Sequence, residues 1–257
     1  MIIEKFDRTV EKDTMKKFYN GEIDAILIKN SNENTINEIG ELEKQDLHGT
    51  YKVPIGANQD SEKKQVLRQE EDQPWHNDRM YYADIHSFCG LRANKVEEGA
   101  GDTYFCDMKA AWKSLPEELQ ENVKAEGLVE FSLANFFDRA RYPYDVQDPR
   151  EQRWLRMKRR CKNTIYKNDK FGEYAYFSPL YVTSKYFDIL NESLFKDEFI
   201  YRHKWSNDDL IIWNNHTLSH KRDGTPRDII RSLTRYAFHQ PGESGPIERA
   251  EQNGKKE

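Results

Sequence analysis

Residues 208–220 read DDLIIWNNHTLSH, and the reading of this stretch decides the fold. Leu210-Ile211-Ile212-Trp213 is an unbroken apolar run. It is far too short to cross a bilayer and has the length of a buried strand. Directly behind it come two histidines, His216 and His220. Downstream, Ile229 to His239 alternates through Ile229, Arg231, Leu233, Arg235 and Ala237, a second strand pattern. Upstream, Ile23–Ile28, residues 102–107 (DTYFCD), residues 127–133 and Tyr174–Ser178 read as further strands.

Helical patterns are fewer and lie between the early strands. A short helix is expected within residues 1–20, and Asn32–Asp46 has helical spacing through Ile36, Ile39 and Leu42. Met108–Leu115 reads as a helix, and another starts around Pro116, where a first turn tolerates proline. Residues 55–74 read as a polar loop, and 138–163, rich in Arg, Tyr and Pro, as a long excursion. Strands dominate. The expected fold is mainly β with flanking helices, a double-stranded β-helix of the jelly-roll, cupin-like kind. One domain is expected over 1–241, with a lid-like insert at about 138–170 and a polar, flexible tail at 242–257.

The bulk numbers exclude several classes. The 13 Phe, 14 Tyr and 5 Trp supply large core side chains, which argues against disorder. A net charge of −5 carries no nucleic-acid signature. Cys89, Cys106 and Cys161 are odd in number and widely spaced, so neither a disulfide framework nor a zinc site is expected. The N-terminal stretch lacks an apolar signal core. The expectation is a cytoplasmic protein without a membrane span.

Three features carry chemistry. In Trp75-His76-Asn77-Asp78, residues i and i+2 of a strand or its exit point to one side, so His76 and Asp78 can aim at one point. An imidazole and a carboxylate are two-thirds of the 2-His-1-carboxylate triad that holds iron(II). His220, 144 residues after His76, is the candidate third ligand, because a jelly roll brings distant strands together at its mouth. His216 is the main competitor, and His86, His203 and His239 complete the pool considered. Each histidine alone is more often a solvated or satisfied core residue. The third feature is the pair Arg231 and Arg235, on one face of an apolar strand. Buried guanidinium groups are expensive unless they meet anions, and a dicarboxylate would serve. Without the upstream histidine the bland reading, two arginines on a solvated edge, would win.

Together these residues resemble the taurine dioxygenase family of iron(II)/2-oxoglutarate dioxygenases. WHND is similar to its W-H-x-D motif. Gly101-Asp102-Thr103 is similar to its G-G-D-T segment, with Ala100 for the first glycine. DDLIIWNNHTLSH is similar to its G-D-L-x-I-W-D-N-x-x-x-x-H stretch, with Asp208 for glycine and Asn214 for the first aspartate. Phe177-Ser178-Pro179 also resembles a family segment. The resemblance spans roughly residues 70–240. Its register selects His220 over His216.

The resemblance implies that His76, Asp78 and His220 bind Fe(II), and that Thr103 and Arg231 bind the distal carboxylate of 2-oxoglutarate. Arg235 would touch the cosubstrate or an anionic substrate group. O₂ would be the oxidant, and hydroxylation of a small polar metabolite the reaction; Asp78 argues against halogenation. Desaturation or oxidative cleavage would use the same triad, and a non-catalytic sensor is the reading from another class. Candidate substrate residues are Asp72, Tyr81, Phe137 and Arg235, Asp72 suiting the ammonium of an amino acid or amine. Trp75, Tyr82, Phe136 and Trp213 are further candidate walls, with plain aromatic core as the competing reading. Within the basic segment 150–162, Trp154, Met157 and Cys161 form an apolar stripe at helical spacing, beside Arg153, Arg156 and Arg160. A charged surface helix is the plain reading; the sharper one is a lid that attracts an anionic substrate or an acidic carrier protein. The sequence is compatible with a homo-oligomer.

Overall fold

A computed structural model of the chain describes residues 1–36, 39, 51–56, 70–80, 87–132 and 160–238. In chain order come β1 (Ile3–Asp7), α1 (Lys12–Tyr19), β2 (Ala25–Lys29), β3 (Tyr51–Gly56), β4 (Gln73–His76), β5 (Phe88–Val96) and β6 (Thr103–Asp107). Helices α2 (Met108–Lys113) and α3 (Glu117–Glu126) lead into β7 (Leu128–Phe131). The second half holds β8 (Arg160–Asn163), β9 (Ile165–Asn168), β10 (Gly172–Ala175), β11 (Val182–Thr183) and α4 (Phe187–Leu194). It ends with β12 (Ile200–His203), β13 (Leu210–Asn214), β14 (Leu218–Arg222) and β15 (Arg231–Phe238).

Two sheets form the body. One is six-stranded, in the order β1-β2-β13-β5-β15-β3; the other is four-stranded, β12-β6-β14-β4. Strands far apart in sequence are neighbours in both, as in a jelly roll. Between the sheets lies a core of Leu27, Leu91, Phe105, Ile211, Trp213, Leu218 and Leu233. Period-two alternation sends the intervening residues outward. Ile26, Ile28, Leu210 and Ile212 cover the outer face of the large sheet, where Met15, Phe18 and Tyr19 of α1 pack on them. A third core, with Trp112, Phe131, Tyr176 and Phe177, lies under α2 and α4. Both faces of β2 and β13 are therefore buried, which is why those segments read as continuous apolar runs.

Several sequence expectations need correction. β1 falls within residues 1–20, where only a short helix was expected, and pairs in parallel with β2. Residues 55–56 and 73–74, expected in a loop, end β3 and begin β4. β5 was not legible because FCGLRANKV interrupts the apolar pattern. Each interruption has a local reason. A Cβ at Gly90 would come within 2.9 Å of Ile212 Cγ2. Buried Arg92 is bonded to Asp208 Oδ1 at 2.6 Å and to the Ser31 carbonyl at 3.1 Å. The expected strand at Tyr174–Ser178 ends at Ala175. Arg160 and Cys161, read as the end of a helix, lie on β8, which pairs with β7. Residues 35, 36 and 39 are helical, and the rest of the helix expected to Asp46 lies outside the described residues. Residues 150–159 and 242–257 also lie outside them. No helix among the described residues is long and apolar enough to cross a membrane.

Phe18 tests the outer core. Its ring lies 4.8 Å from that of Phe88 and is fully buried. Phe18→Ala is expected to cost about 3–5 kcal/mol in denaturant unfolding. A loss under about 1 kcal/mol would contradict the packing of α1 on the large sheet.

Candidate functional site

The site begins with strand register. β14 pairs antiparallel with β4 so that His220 stands opposite His76, and with β6 so that His220 stands opposite Phe105. The two imidazole centroids are 4.2 Å apart. Asp78 follows His76 by two residues, in the turn after β4. Its Oδ1 lies 3.7 Å from His76 Nε2 and 3.8 Å from His220 Nε2. One donor atom from each of the three lies within 4.8 Å of the others. His216 is elsewhere, with its ring over Phe171 at 5.9 Å, and buried His203 Nε2 faces Asp209 at 3.3 Å. His86 and His239 lie outside the described residues.

Asparagine amides lock the turn that carries Asp78 to the turn that leads into β14. The Asp78 N–H donates to Asn215 Oδ1 at 2.9 Å, and Asn215 Nδ2 donates back to the Asp78 carbonyl at 3.1 Å. Asn77 Nδ2 donates to the carbonyls of Asn215 (2.7 Å) and Leu218 (3.0 Å). Asn214 Oδ1 accepts from the His216 N–H at 2.9 Å, a turn-forming role that an aspartate in that place would also fill. Asp208 has φ of 64°, in the left-handed region, where the family pattern has glycine; Asp tolerates that region better than most residues. Gly101 must be glycine, because a Cβ there would collide with the backbone of Asp223.

Electrostatics prepare the three groups for a cation. His76 Nδ1 is 2.8 Å from the Pro74 carbonyl, so the proton sits on Nδ1 and the Nε2 lone pair points inward. Gln73 Nε2 donates to that lone pair at 2.9 Å. Burial lowers the pKa of His76, and lowers that of His220 to about 3, with His76 adding to the second shift. Both imidazoles are therefore neutral at neutral pH. Burial alone would raise Asp78, but Arg235 and then the two imidazoles hold it well below the usual carboxylate range. Two neutral imidazoles and one carboxylate, with ligand atoms within 4.8 Å of one another, are a donor set that fits a divalent transition metal.

Arg235 is committed to Asp78. Its Nε and one terminal nitrogen reach Asp78 Oδ2 at 2.8 and 2.6 Å. Oδ1 is left facing the histidines. Arg235 lines the cavity as expected, and the pair with Asp78 does not exclude the contact to cosubstrate or substrate that the sequence suggested. Arg231 is 5% exposed. It donates from Nε to the Gly101 carbonyl at 2.9 Å and from a terminal nitrogen to Thr103 Oγ1 at 3.1 Å. Trp205 Nε1 donates to the same Thr103 oxygen at 3.0 Å. Burial, then repulsion from Arg222, brings Arg231 down to about 9, still charged at neutral pH. Among the described residues it is in no salt bridge, and Asp102 and Asp223 favour its charge only from a distance.

The cavity measures about 90 Å³. His76, Asp78, His220, Thr103, Arg231, Arg235 and Trp213 all line it, as the sequence anticipated. Gln73, Leu91, Arg222 and Leu233 also line it and were missed. Arg222 was within reach of period-two reasoning, two residues beyond His220. Leu91 was not, since β5 itself was illegible. Asp72 is exposed, and its carboxylate accepts from the Gly224 N–H at 2.7 Å rather than lining the cavity. Trp75 stacks on Phe195 at 4.9 Å in the core under α2 and α4. Tyr81, Tyr82, Phe136 and Phe137 lie outside the described residues.

Arg235→Gln is expected to cost about 3 kcal/mol in unfolding free energy near neutral pH, because it strands a buried carboxylate. Asp78 has a lowered folded pKa, so its stabilisation is present above the unfolded value of about 4 and fades as pH falls below it. The gap between wild type and variant should therefore narrow in acid. A gap that stays constant down to pH 3, or widens, would contradict the ion pair.

Residues 31–236 match the family described as "Taurine catabolism dioxygenase TauD, TfdA family". The chain is 25% identical over 155 residues to the alpha-ketoglutarate-dependent 2,4-dichlorophenoxyacetate dioxygenase of Cupriavidus pinatubonensis, covering 58% of this chain and 54% of that one. It is 23% identical over 187 residues to an enzyme of the same description from a Burkholderia species, covering 70% and 63%. The matched stretch thus spans less than two-thirds of either relative. Among solved structures, AAD-2 in complex with Mn(II) and N-oxalylglycine aligns with a TM-score of 0.72 at 18% identity, covering 95% of this chain and 96% of that one. A taurine dioxygenase from Burkholderia xenovorans aligns at 0.63 and 14%, covering 93% and 86%. At such identities these two speak for the fold. With four-fifths of its length inside the family match and the jelly roll in place, the chain belongs to the taurine catabolism dioxygenase TauD, TfdA family.

Proposed function

We propose that this protein is an iron(II)- and 2-oxoglutarate-dependent dioxygenase that hydroxylates a small polar molecule. The observation that carries the reading is that one cavity is lined both by His76, Asp78 and His220 and by Arg231, which is buried, charged and, among the described residues, in no salt bridge. The relatives' described dependence on alpha-ketoglutarate supports it, as does the Mn(II) and N-oxalylglycine bound by the structural neighbour AAD-2.

His76, Asp78 and His220 would hold the metal. Thr103 and Arg231 would hold the distal carboxylate of 2-oxoglutarate. When bound, iron(II), 2-oxoglutarate and O₂ supply the oxidising power and leave succinate, CO₂ and hydroxylated product. The chain's own part is placement. Arg235 fixes Asp78 so that one carboxylate oxygen faces the histidines. Pro74 fixes the His76 tautomer. Thr103 Oγ1 already accepts two hydrogen bonds, so its O–H is left to donate into the cavity. Leu91, Trp213 and Leu233 keep the cavity walls apolar and limit water.

The finer reading of an amino acid or amine rested on Asp72, which is exposed and bound to Gly224. A small anionic substrate has the better support, because Asp72 does not line the cavity and a carboxylate is named for the relatives. Desaturation or oxidative cleavage would use the same residues and is separated by product mass. A carrier-tethered substrate docking on segment 150–162 is part of the same proposal, with most of that segment outside the described residues.

The test is succinate release from 2-oxoglutarate with iron(II) and O₂, screened over aryloxyacetates, sulfonates, phosphonates and amino acids. Stimulated release with at least one substrate is expected. A protein that takes up metal and 2-oxoglutarate yet never releases succinate would be a sensor instead. His76→Ala is expected to abolish metal binding and turnover together. Arg231→Ala should keep the metal and weaken 2-oxoglutarate by about 2–5 kcal/mol. Unchanged 2-oxoglutarate affinity in Arg231→Ala would remove Arg231 from the role.

A further inference from the structure

A third arginine belongs to this cavity. On β14, Leu218, His220 and Arg222 share one face by strand alternation. Leu218 fills the core between the sheets and His220 meets His76. Arg222 stands opposite Thr103 of β6 on one side and opposite Gln73 of β4 on the other. It lines the same cavity as Thr103 and Arg231. The position is set by register, two residues beyond His220 and across from the hydroxyl that Arg231 bonds.

We infer that Arg222 is a second cation for the distal carboxylate of the cosubstrate, so that this carboxylate lies between Arg222 and Arg231. The inference deepens the proposed function and rests on it. Two guanidinium groups lining one small cavity repel each other, and this repulsion adds to burial in lowering Arg231. An anion between them converts that cost into two charge-assisted contacts. Burial lowers the pKa of Arg222, and Asp72 and Glu71 partly offset it. Asp72 is exposed and accepts the Gly224 N–H, so its carboxylate does not fill the cavity. Arg222 also donates from a terminal guanidinium nitrogen to the Asp223 carbonyl at 3.2 Å, which helps orient its head. The consequence is selectivity: the site should prefer a 2-oxoacid with a carboxylate at its far end over one of equal length without it.

The experiment uses the full chain loaded with Mn(II) and titrates it calorimetrically with 2-oxoglutarate and with 2-oxopentanoate, which lacks the distal carboxylate. Wild type is expected to prefer 2-oxoglutarate. In Arg222→Met that preference should fall at least about tenfold, about 1.4 kcal/mol. Mn(II) affinity and 2-oxopentanoate affinity should be unchanged. A purely structural role would instead weaken both oxoacids in parallel or lower the unfolding temperature with the preference intact, and either result overturns the inference. If Arg222→Met does not fold, Arg222→Lys carries the test. Loss of the bidentate grip should still lower the preference by about threefold, and an unchanged preference overturns the assignment. Mn(II)-loaded wild type that binds neither oxoacid would overturn the proposed function, and this inference with it. Binding of 2-oxoglutarate by wild type, with the preference unaltered in the Arg222 variants, would overturn the inference alone.

Discussion

The antiparallel register of β14 against β4 is the constraint on which the site depends. It sets His220 opposite His76; the register against β4 then shifts, and the unbroken pairing with β6 carries the alternation that aims Arg222 into the same cavity. Because side chains alternate along a strand, a slip by one residue would turn Ser219 and Lys221 inward and remove both groups at once. The register is over-determined. Leu218 anchors it in the core between the sheets, β6 repeats it from the other side, and the amides of Asn77 and Asn215 tie the two turns together. Each amide bond is worth about 1 kcal/mol, modest singly, but they act on the few residues where misplacement matters.

Charge is arranged with equal care. A buried carboxylate beside two buried imidazoles would be costly without a cation, and Arg235 supplies one on the far oxygen while leaving the near oxygen toward the histidines. Cys89 lies buried beside this pair; burial first, and then Asp78, keep its thiol protonated, so it adds no second negative charge. Arg231 is treated in the opposite way. It is oriented by neutral acceptors, the Gly101 carbonyl and the Thr103 hydroxyl, which satisfy its geometry without cancelling its charge. One arginine is paired with a carboxylate of the protein, and the other is held by neutral acceptors.

The fold class was legible because β2, β13 and β15 carry their patterns openly, and the site because its motifs are short and local. His76 and Asp78 share a face two residues apart, and Arg231 and Arg235 sit at even spacing along β15. The irregularity in the pairing of β5 with β15 falls at Asn94 on β5, so the alternation of β15 is undisturbed. What sequence could not show depended on partners remote in the chain. β5 looks too polar for a strand until Arg92 meets Asp208, and Asp72 looks like a substrate residue until Gly224 claims it. Arg235 faces inward as expected, yet its partner is set by the three-dimensional placement of Asp78.

The central claim is that His76, Asp78 and His220 hold one iron(II) that a 2-oxoacid also reaches. It is tested most directly by adding iron(II) and then 2-oxoglutarate to the protein without oxygen, and recording the visible charge-transfer band that chelation of iron(II) by a 2-oxoacid produces. The account predicts a band that saturates at one equivalent of iron in wild type and is lost in His220→Ala. Iron uptake with no band on addition of 2-oxoglutarate, or a band that survives in His220→Ala, would contradict it.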